Sequence, residues 1–339
     1  MKIFYINLLI SLFFFYCNFK FRSNISRNLK IIDFPDKKRK LHKKPVPLNG
    51  GLWFPVVLSI FCIEIFFLKN FLNHQIQIII YTSIFMFLVG LADDRKSLNP
   101  NLRLFVYFIF FLIFVSLDEN FALKKILFVS LDWEMKTSFF SYLFSAFCLT
   151  AFINSINLTD GINALANSLL LIILFFLYYI FGQNEQIIII LLILLIINSV
   201  LIFKGKYFLG DSGALGISTF VGMYVIYLYN LEYLGMFKNT FNAEDVFILM
   251  AFPGLDMIRV TFLRIINKKN PFVSGREHLH HYLLKKHSLI YTLMIYLIFA
   301  FLPAISNFIL HSYSYTSYNL IMCFVLYIVL LKYSRLKNN

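Results

Sequence analysis

From Ile187 to Ile197 every residue is isoleucine or leucine. A half-buried strand would alternate apolar with polar positions, so this run reads as a helix with apolar surroundings on all sides. Together with its continuation to 203 it is one of eleven apolar segments: 3–19, 51–68, 75–91, 102–117, 138–153, 164–181, 187–203, 214–231, 243–263, 289–311 and 317–331. A hydrocarbon core about 30 Å thick takes roughly 17–25 helical residues to cross. Of the 339 residues 60% are apolar and 14% charged, against about 45–50% and about 25% in an ordinary soluble domain. A sphere of this size cannot hide that surplus from water. A soluble enzyme, a disordered chain and a secreted disulfide scaffold are excluded, and the lack of period-two alternation argues against a membrane barrel. The expected fold is an all-α polytopic membrane protein of about eleven transmembrane helices, forming one domain over 1–339. The first segment has no A-x-A-like cleavage site after it and reads as a retained helix. Cys17, Cys62, Cys148 and Cys323 lie in apolar runs without metal-type spacing and read as small hydrophobes.

The 31 lysines and arginines against 17 acidic residues suggest nucleic acid at first, but their placement follows topology instead. With the N-terminus outside, 24 of them fall in the inner stretches 20–50, 92–103, 154–163, 204–213, 264–288 and 332–339, six fall outside, and Arg259 lies within a helix. That asymmetry sets the orientation, with the C-terminus in the cytoplasm. Some attraction for anionic lipid heads follows, and no nucleic-acid partner is expected.

Acidic residues near a membrane are costly and each needs a reason. Asp118, Glu119, Asp132, Glu134, Glu185, Glu232, Glu244 and Asp245 fall on the outer side and read as solvated loop or helix-end charges. Glu64 lies mid-helix, either as a buried partner of another helix or in a functional role. The other eight gather at the inner face, mostly in five compact polar segments. The first, within 20–50, runs from Asp33 and Asp36 through Lys40 and His42 to Pro45-Val-Pro47-Leu-Asn-Gly50-Gly51. Its prolines and glycines dictate a bent backbone, and its basic cluster is either a topogenic charge run or a phosphate-binding one. In the second, 92–101, Asp93 and Asp94 are adjacent carboxylates, which repel unless a cation or proton lies between them. A hard divalent ion, Mg²⁺ or Mn²⁺, suits oxygen ligands; two solvated capping acids are the alternative.

The third segment, 154–163, has no lysine or arginine. Asn157, Thr159, Asp160 and Asn163 can read a nucleobase or sugar by hydrogen bonds, while Thr159 or Asp160 can also serve as a helix N-cap. In the fourth, 204–213, Gly210-Asp211-Ser212-Gly213 ahead of a helix suits a metal ligand, a phosphate cradle or a plain turn. The fifth, 264–288, holds Arg276-Glu277-His278-Leu-His280-His281. Its imidazoles beside an arginine fit phosphate handling better than zinc, for which no cysteine or spaced histidine partner is present. Asp256 and Arg259, spaced i,i+3, read as a structural ion pair. No P-loop, nucleophile elbow or HExxH pattern occurs. Five such segments on one face point to a site there.

Jointly DFPDKKRKLHKKPVPLNGG, GLADD, NxxNLTDG, FLGDSG and HLHH resemble the bacterial polyprenyl-phosphate hexosamine-1-phosphate transferases (glycosyltransferase family 4), in motif order, over about 1–331. The PVPxxGG run and the His-x-His-His form resemble the N-acetylglucosamine and O-antigen initiating branch. The resemblance implies a cytoplasmic-face enzyme of the bacterial inner membrane that moves a sugar-1-phosphate from a UDP-amino sugar to undecaprenyl phosphate, with Mg²⁺ and release of UMP, and it allows a homodimer. It implies Asp211 as metal ligand, with Asp93 and Asp94 beside the metal and the attacking phosphate. By the same likeness Asn157, Asp160 and Asn163 hold the nucleotide-sugar. Arg276, His278, His280 and His281 steady phosphate oxygens, and Lys40 and His42 share that task. Asn163 departs from the family, whose members usually carry an aspartate there within Asp-Gly-x-Asp-Gly; here Asp160-Gly-Ile-Asn163-Ala164 keeps an acceptor oxygen and loses the charge. A polytopic transporter is the rival reading, although transporters place ionisable groups near mid-membrane, and an inactive family relative is a third.

Overall fold

The computed structural model describes residues 2–35, 42, 44–68, 74–181, 186–233, 241–271, 275–310 and 313–336. Each of the eleven apolar segments is a helix. In chain order the helices are α1 (Lys2–Lys20), α2 (Arg22–Leu29), α3 (Trp53–Leu68), α4 (His74–Arg95), α5 (Pro100–Val115), α6 (Ser141–Thr159) and α7 (Leu165–Phe181). There follow α8 (Gln186–Phe203), α9 (Gly210–Tyr233), α10 (Ala243–Ile266), α11 (Leu279–Lys286), α12 (Leu289–Leu310) and α13 (Tyr313–Arg335). Among the described residues eight of these are long and apolar enough to cross a membrane, while α3, α5 and α7 carry shorter apolar stretches. The short, polar α2 and α11 were not legible from hydropathy.

The helices outrun their apolar segments at the polar end. Asp93 and Asp94 occupy the last turn of α4, Asn157 the last turn of α6, and Asp211 the first turn of α9. Each of these three segments expected as loops therefore contains a helix end, because a helix continues into polar sequence while its amides find acceptors.

The chain is not purely helical. β1 (Ile32–Asp33) pairs antiparallel with β2 (Val46–Pro47), with Ile32 opposite Pro47. β3 (Lys125–Phe128) and β4 (Trp133–Lys136) form a hairpin across the opposite end of the bundle, with Phe128 stacked on Trp133 at 5.1 Å. This hairpin corrects the reading of Glu244. Ser130 donates to its Oε1 from both backbone N and Oγ at 2.9 Å, and the residue is 1% exposed. Asp245 is also buried; it accepts from Asn242 N at 2.6 Å and from Asn307 Nδ2. Neither acid is a solvated helix-end charge. Glu64 has the interhelical partner its depth demands, Asn7 Nδ2 at 2.6 Å, which ties α3 to α1.

At the centre stands α9, with 89% of its spanning window buried, whereas α1 is 22% buried and lies at the periphery. Small residues along α9, among them Gly213, Ala214, Gly216 and Gly222, bring neighbouring backbones and the rings of Phe54, Phe87 and Phe152 close. Phe13, Phe105, Ile258 and Ile309 point away from the bundle and are exposed, as lipid-facing side chains are.

Candidate active site

The first turn of α9 joins the polar segments. Its leading amides have no intrahelical acceptor. Asp94 supplies one across the bundle, taking Asp211 N on Oδ1 at 2.8 Å and Ser212 N on Oδ2 at 3.0 Å. A carboxylate at a helix N-terminus is favoured by charge as well as by hydrogen bonding. Gly210, at φ +78°, makes the approach possible, since a Cβ there would lie 2.9 Å from Asp94 Oδ2. The adjacent Asp93 turns elsewhere. It accepts from Leu98 N at 2.7 Å and pairs with Arg103 Nη1 at 2.6 Å, with its side chain 3% exposed. The carboxyl of Asp211 in turn lies against the Asn157 amide and the Asp93 carboxyl.

The first segment docks on the fourth. Gly50 N donates to Phe208 O and Phe208 N to Pro47 O, both at 2.9 Å. Asn198 Nδ2 donates to Gly50 O at 3.0 Å while its own Oδ1 accepts from Tyr207 OH at 2.8 Å. The His42 ring meets Phe208 edge-on at 5.2 Å, with Nε2 2.9 Å from Asp33 Oδ2 and Nδ1 2.9 Å from Lys44 O. Lys40 lies outside the described residues, as does Asp36.

The third segment bridges the fourth and fifth. Asp160 caps the C-terminus of α6, its N–H donating to Asn157 O at 3.2 Å, and Thr159 Oγ1 bonds back to Ile156 O at 2.6 Å. Both residues end a helix, so the N-cap reading does not hold. Asn163 faces the turn at Gly205, with Nδ2 3.9 Å from where a Cβ of that glycine would stand. Gly161 packs on the histidines so tightly that a Cβ would lie 2.7 Å from His280 Nε2 and 2.8 Å from His281 Cε1. The three imidazoles form one cluster, with His278 and His280 parallel at 5.6 Å and His280 and His281 at 4.2 Å. Among the described residues no partner meets either ring nitrogen of the fully buried His280, or Nε2 of the buried His278. Half-buried Arg276 stands close enough to act on His281.

The electrostatics follow from burial and like charge. Burial pushes the Asp160 carboxyl well above the usual carboxylate range, helped by the nearby carboxyls of Asp211, Asp94 and Asp33. Burial likewise holds His280 well below the usual imidazole range, and lowers His281 to about 4 with help from His278 and Arg276. The site thus gathers carboxyl groups on one side and, on the other, the imidazoles of His280 and His281, both shifted toward the neutral form.

A hard divalent ion fits that carboxyl side. Asp94 and Asp211 approach each other, Asp93 adds a third acid, and each Asp94 oxygen accepts from only one of the two amides of the α9 turn, leaving acceptor capacity for a cation. Among the described residues no three His, Cys, Asp or Glu side chains converge into a ready-made cage. If Mg²⁺ were bound there, Asp94 and Asp211 would hold it, with water and substrate phosphate completing its ligands.

Several partners were not legible in the sequence. Arg103 is ten positions from Asp93 across an Asn-Pro turn, a spacing that gives a faint hint. Asn198, Tyr207 and Tyr327 carried no signal. Asp256 and Arg259 form the expected ion pair at 2.7 Å, but Asp256 also holds the histidine segment, with Oδ2 2.8 Å from His278 Nδ1.

Apolar helices enclosing one polar end with paired acids and a histidine cluster are the architecture of a polytopic membrane protein. Residues 76–229 match the family model described as glycosyl transferase family 4. The chain is similar to the undecaprenyl-phosphate alpha-N-acetylglucosaminyl 1-phosphate transferase of Escherichia coli (strain K12), 24% identical over 288 residues, covering 82% of this chain and 76% of that protein. The Yersinia pestis protein of the same name is 26% identical over the same shares. The phospho-N-acetylmuramoyl-pentapeptide-transferase of Prochlorococcus marinus (strain MIT 9312) is 24% identical over 266 residues, 72% of each chain.

Proposed function

We propose that this chain is a Mg²⁺-dependent phosphoglycosyl transferase. It moves N-acetylhexosamine-1-phosphate from a UDP-amino sugar to undecaprenyl phosphate, releases UMP, and makes the first lipid-linked intermediate of a cell-surface polysaccharide such as O-antigen. The names of the relatives support the reaction class. The observation that carries the reading is the convergence of Asp94, Asp211 and Asn157 in direct contact at the end of a bundle of apolar helices. A lipid-borne acceptor and a water-borne donor can both reach such a place. The lysine and arginine asymmetry supports a cytoplasmic location for that end, in the bacterial inner membrane. Ionisable groups gathered at one end, with Glu64 engaged by Asn7, speak against a transporter.

In this reading Asp211 and Asp94 hold the metal, which when bound supplies Lewis-acid neutralisation of the donor diphosphate. Asn157, Asp160 and Asn163 bind the nucleotide-sugar through their amide and carboxyl groups. His280, His281 and Arg276 orient phosphate oxygens beside His278, with His42 and Lys40 at the margin. A phosphate oxygen of the lipid bonds to the phosphorus that carries the sugar, and the anhydride bond to UMP breaks. A phosphate monoester has its second pKa at about 6 and is largely dianionic near neutrality, so neither Asp93 nor Asp94 needs to act as a base. Asp93 in any case has both oxygens engaged, by Leu98 N and Arg103.

The test is UMP release by the purified full chain in detergent with undecaprenyl phosphate, Mg²⁺ and a panel of UDP-amino sugars, with and without EDTA. Release that needs both lipid and metal is the expected result, and the best donor names the sugar. Silence across the panel from folded protein refutes the reading and favours an inactive relative carrying Asn163. Orientation is read separately. In a cysteine-free background, Lys269→Cys should be labelled from the cytoplasmic side alone and Phe139→Cys from the outside alone; the reverse overturns the topology.

A further inference from the structure

The carboxylate of Asp256 is 2% exposed and fully engaged. His278 Nδ1 stands 2.8 Å from Oδ2, and Leu279 N donates at 3.2 Å to both oxygens. Arg259 Nη2 and Tyr327 OH donate to Oδ1 at 2.7 and 2.8 Å. An ionised carboxylate has about four lone-pair sites, and five N–H and O–H groups converge on them, Arg259 Nε at 3.3 Å from Oδ1 included, so Asp256 has nothing left to offer a substrate or a metal. Whatever it contributes, it contributes through the groups that it holds.

Those groups are placed with purpose. A carboxylate that only accepts fixes the hydrogen of His278 on Nδ1 and leaves Nε2 as the one ring nitrogen free to meet a ligand. Nε2 is buried and bare. The bond to Leu279 N caps the first turn of α11, the helix that carries His280 and His281 beside Gly161. The same cluster is locked from behind. Tyr327 OH accepts from Arg259 Nε at 2.8 Å while donating to Asp256, and Arg259 Nη2 also donates to Glu277 O at 2.6 Å. Tyr327 belongs to α13, so the last helix of the bundle is wired to the histidine segment.

We propose that Asp256, braced by Arg259 and by Tyr327 from α13, is a positioning residue that sets the tautomer of His278 and aims its Nε2, as an acceptor, at a hydroxyl or N–H group of the substrate. The inference rests on the proposed phosphoglycosyl transfer for its kinetic readout, and on the geometry alone for its spectroscopic one.

The test compares wild type, Asp256→Asn, His278→Gln and the double variant, each as the full chain in detergent. Asn in place of Asp keeps the shape but offers a donor where the imidazole needs an acceptor. Second-sphere partners of histidine are worth about 10–100-fold in metal sites, and the expected fall in kcat/KM for D256N is toward the upper end of that range. Because the effect runs through His278, the double variant should be no worse than H278Q alone. With 15N-labelled histidine, the His278 resonance, identified by its loss in H278Q, should report the Nδ1–H form in wild type and lose it in D256N. A fall that multiplies with that of H278Q, or an unchanged tautomer, would make Asp256 a merely structural anchor and overturn the proposal. If wild type releases no UMP with any donor, the proposed reaction fails and the tautomer readout still decides the role of Asp256. If D256N does not fold, Tyr327→Phe removes one brace and keeps the charge. It should lower kcat/KM about fivefold, the worth of one hydrogen bond, and do so only when His278 is present; no change, or the same fall in the H278Q background, overturns the proposal.

Discussion

Substituting Gly90 by alanine tests whether the approach of α4 to α9 builds the site. A Cβ at this position would lie 2.5 Å from Asp211 O and 2.6 Å from Asp211 C and Ser212 Cα, where ordinary contact begins at 3.4 Å. These are backbone atoms within a helix turn, so no side chain can swing aside and one helix must retreat by about 0.9 Å. The turn that retreats carries the two amides held by Asp94 at 2.8 and 3.0 Å. Moved by that amount they pass the roughly 3.2 Å limit of an N–H···O bond. Overpacking costs about 1–3 kcal/mol and loss of the cap about 0.5–2 kcal/mol, while alanine returns about 0.5–1 kcal/mol of helix preference. The net expectation is a loss of about 2 kcal/mol. Activity should suffer more, because a displacement near 1 Å at a reacting centre can cost about 100-fold. Gly254 in α10 is the matched control, since a Cβ there meets nothing within 4 Å. Gly254→Ala should keep turnover and raise the unfolding midpoint slightly. Thermal unfolding in detergent and UMP release read both variants. If Gly90→Ala unfolds and turns over like Gly254→Ala, the α4–α9 contact does not position Asp94 and Asp211.

The metal assignment predicts that Asp211→Asn lowers UMP release about 1,000-fold, since a Lewis acid supplies several kcal/mol. Mg²⁺ added after EDTA should raise the unfolding midpoint of wild type but not that of the variant. His281 is held near 4 in the folded protein against 6.5 unfolded. Between those values the unfolded chain binds more protons, so the stability is complete above about 6.5 and is lost as pH falls toward 4. The midpoint of wild type should therefore drop between pH 7 and pH 5 by more than that of His281→Asn; taking the difference cancels the opposite trend from Asp160, and parallel curves would refute a neutral His281. At the other end of the bundle, Ser130→Ala removes one of the two Ser130 donors from buried Glu244. It should cost about 1–3 kcal/mol with turnover unchanged, and a loss of turnover would mean that the hairpin communicates with the site.

Hydropathy alone located the eleven apolar helices, because a membrane leaves a long apolar run no other stable form. It missed where they stop. Asp94, Asn157 and Asp211 sit on helix turns that are polar, and a polar turn is helical only when something accepts or donates at its end. For α9 that acceptor is Asp94, 117 residues earlier in the chain. Neither motif alone announces the other. Thr159 and Asp160 show the same limit in reverse, for their side chains suit the start of a helix as well as its close, and the chain uses them for the close.

The acids show most sharply what sequence can and cannot convey. Glu244 and Asp245 open α10 as solvated first-turn acids commonly do, and only the hairpin, with Ser130 more than a hundred positions earlier, turns Glu244 into a buried acceptor. Asp256 likewise read as half of a local ion pair, which it is; its bonds to His278 and Tyr327 span 22 and 71 positions. Sequence therefore identifies which polar groups a membrane chain must account for, since a nonpolar solvent allows none to go unpartnered at no cost. It does not say whether the account is settled by a neighbour one turn away, by a distant helix, or by a ligand. Asp256 has donors from four residues on its two oxygens and needs no ligand. Among the described residues the buried atoms left without a partner include both ring nitrogens of His280 and Nε2 of His278, and Asp94 and Asp211 stand close enough for their like charges to interact. Those are the places where an anionic donor and its cation would complete the structure.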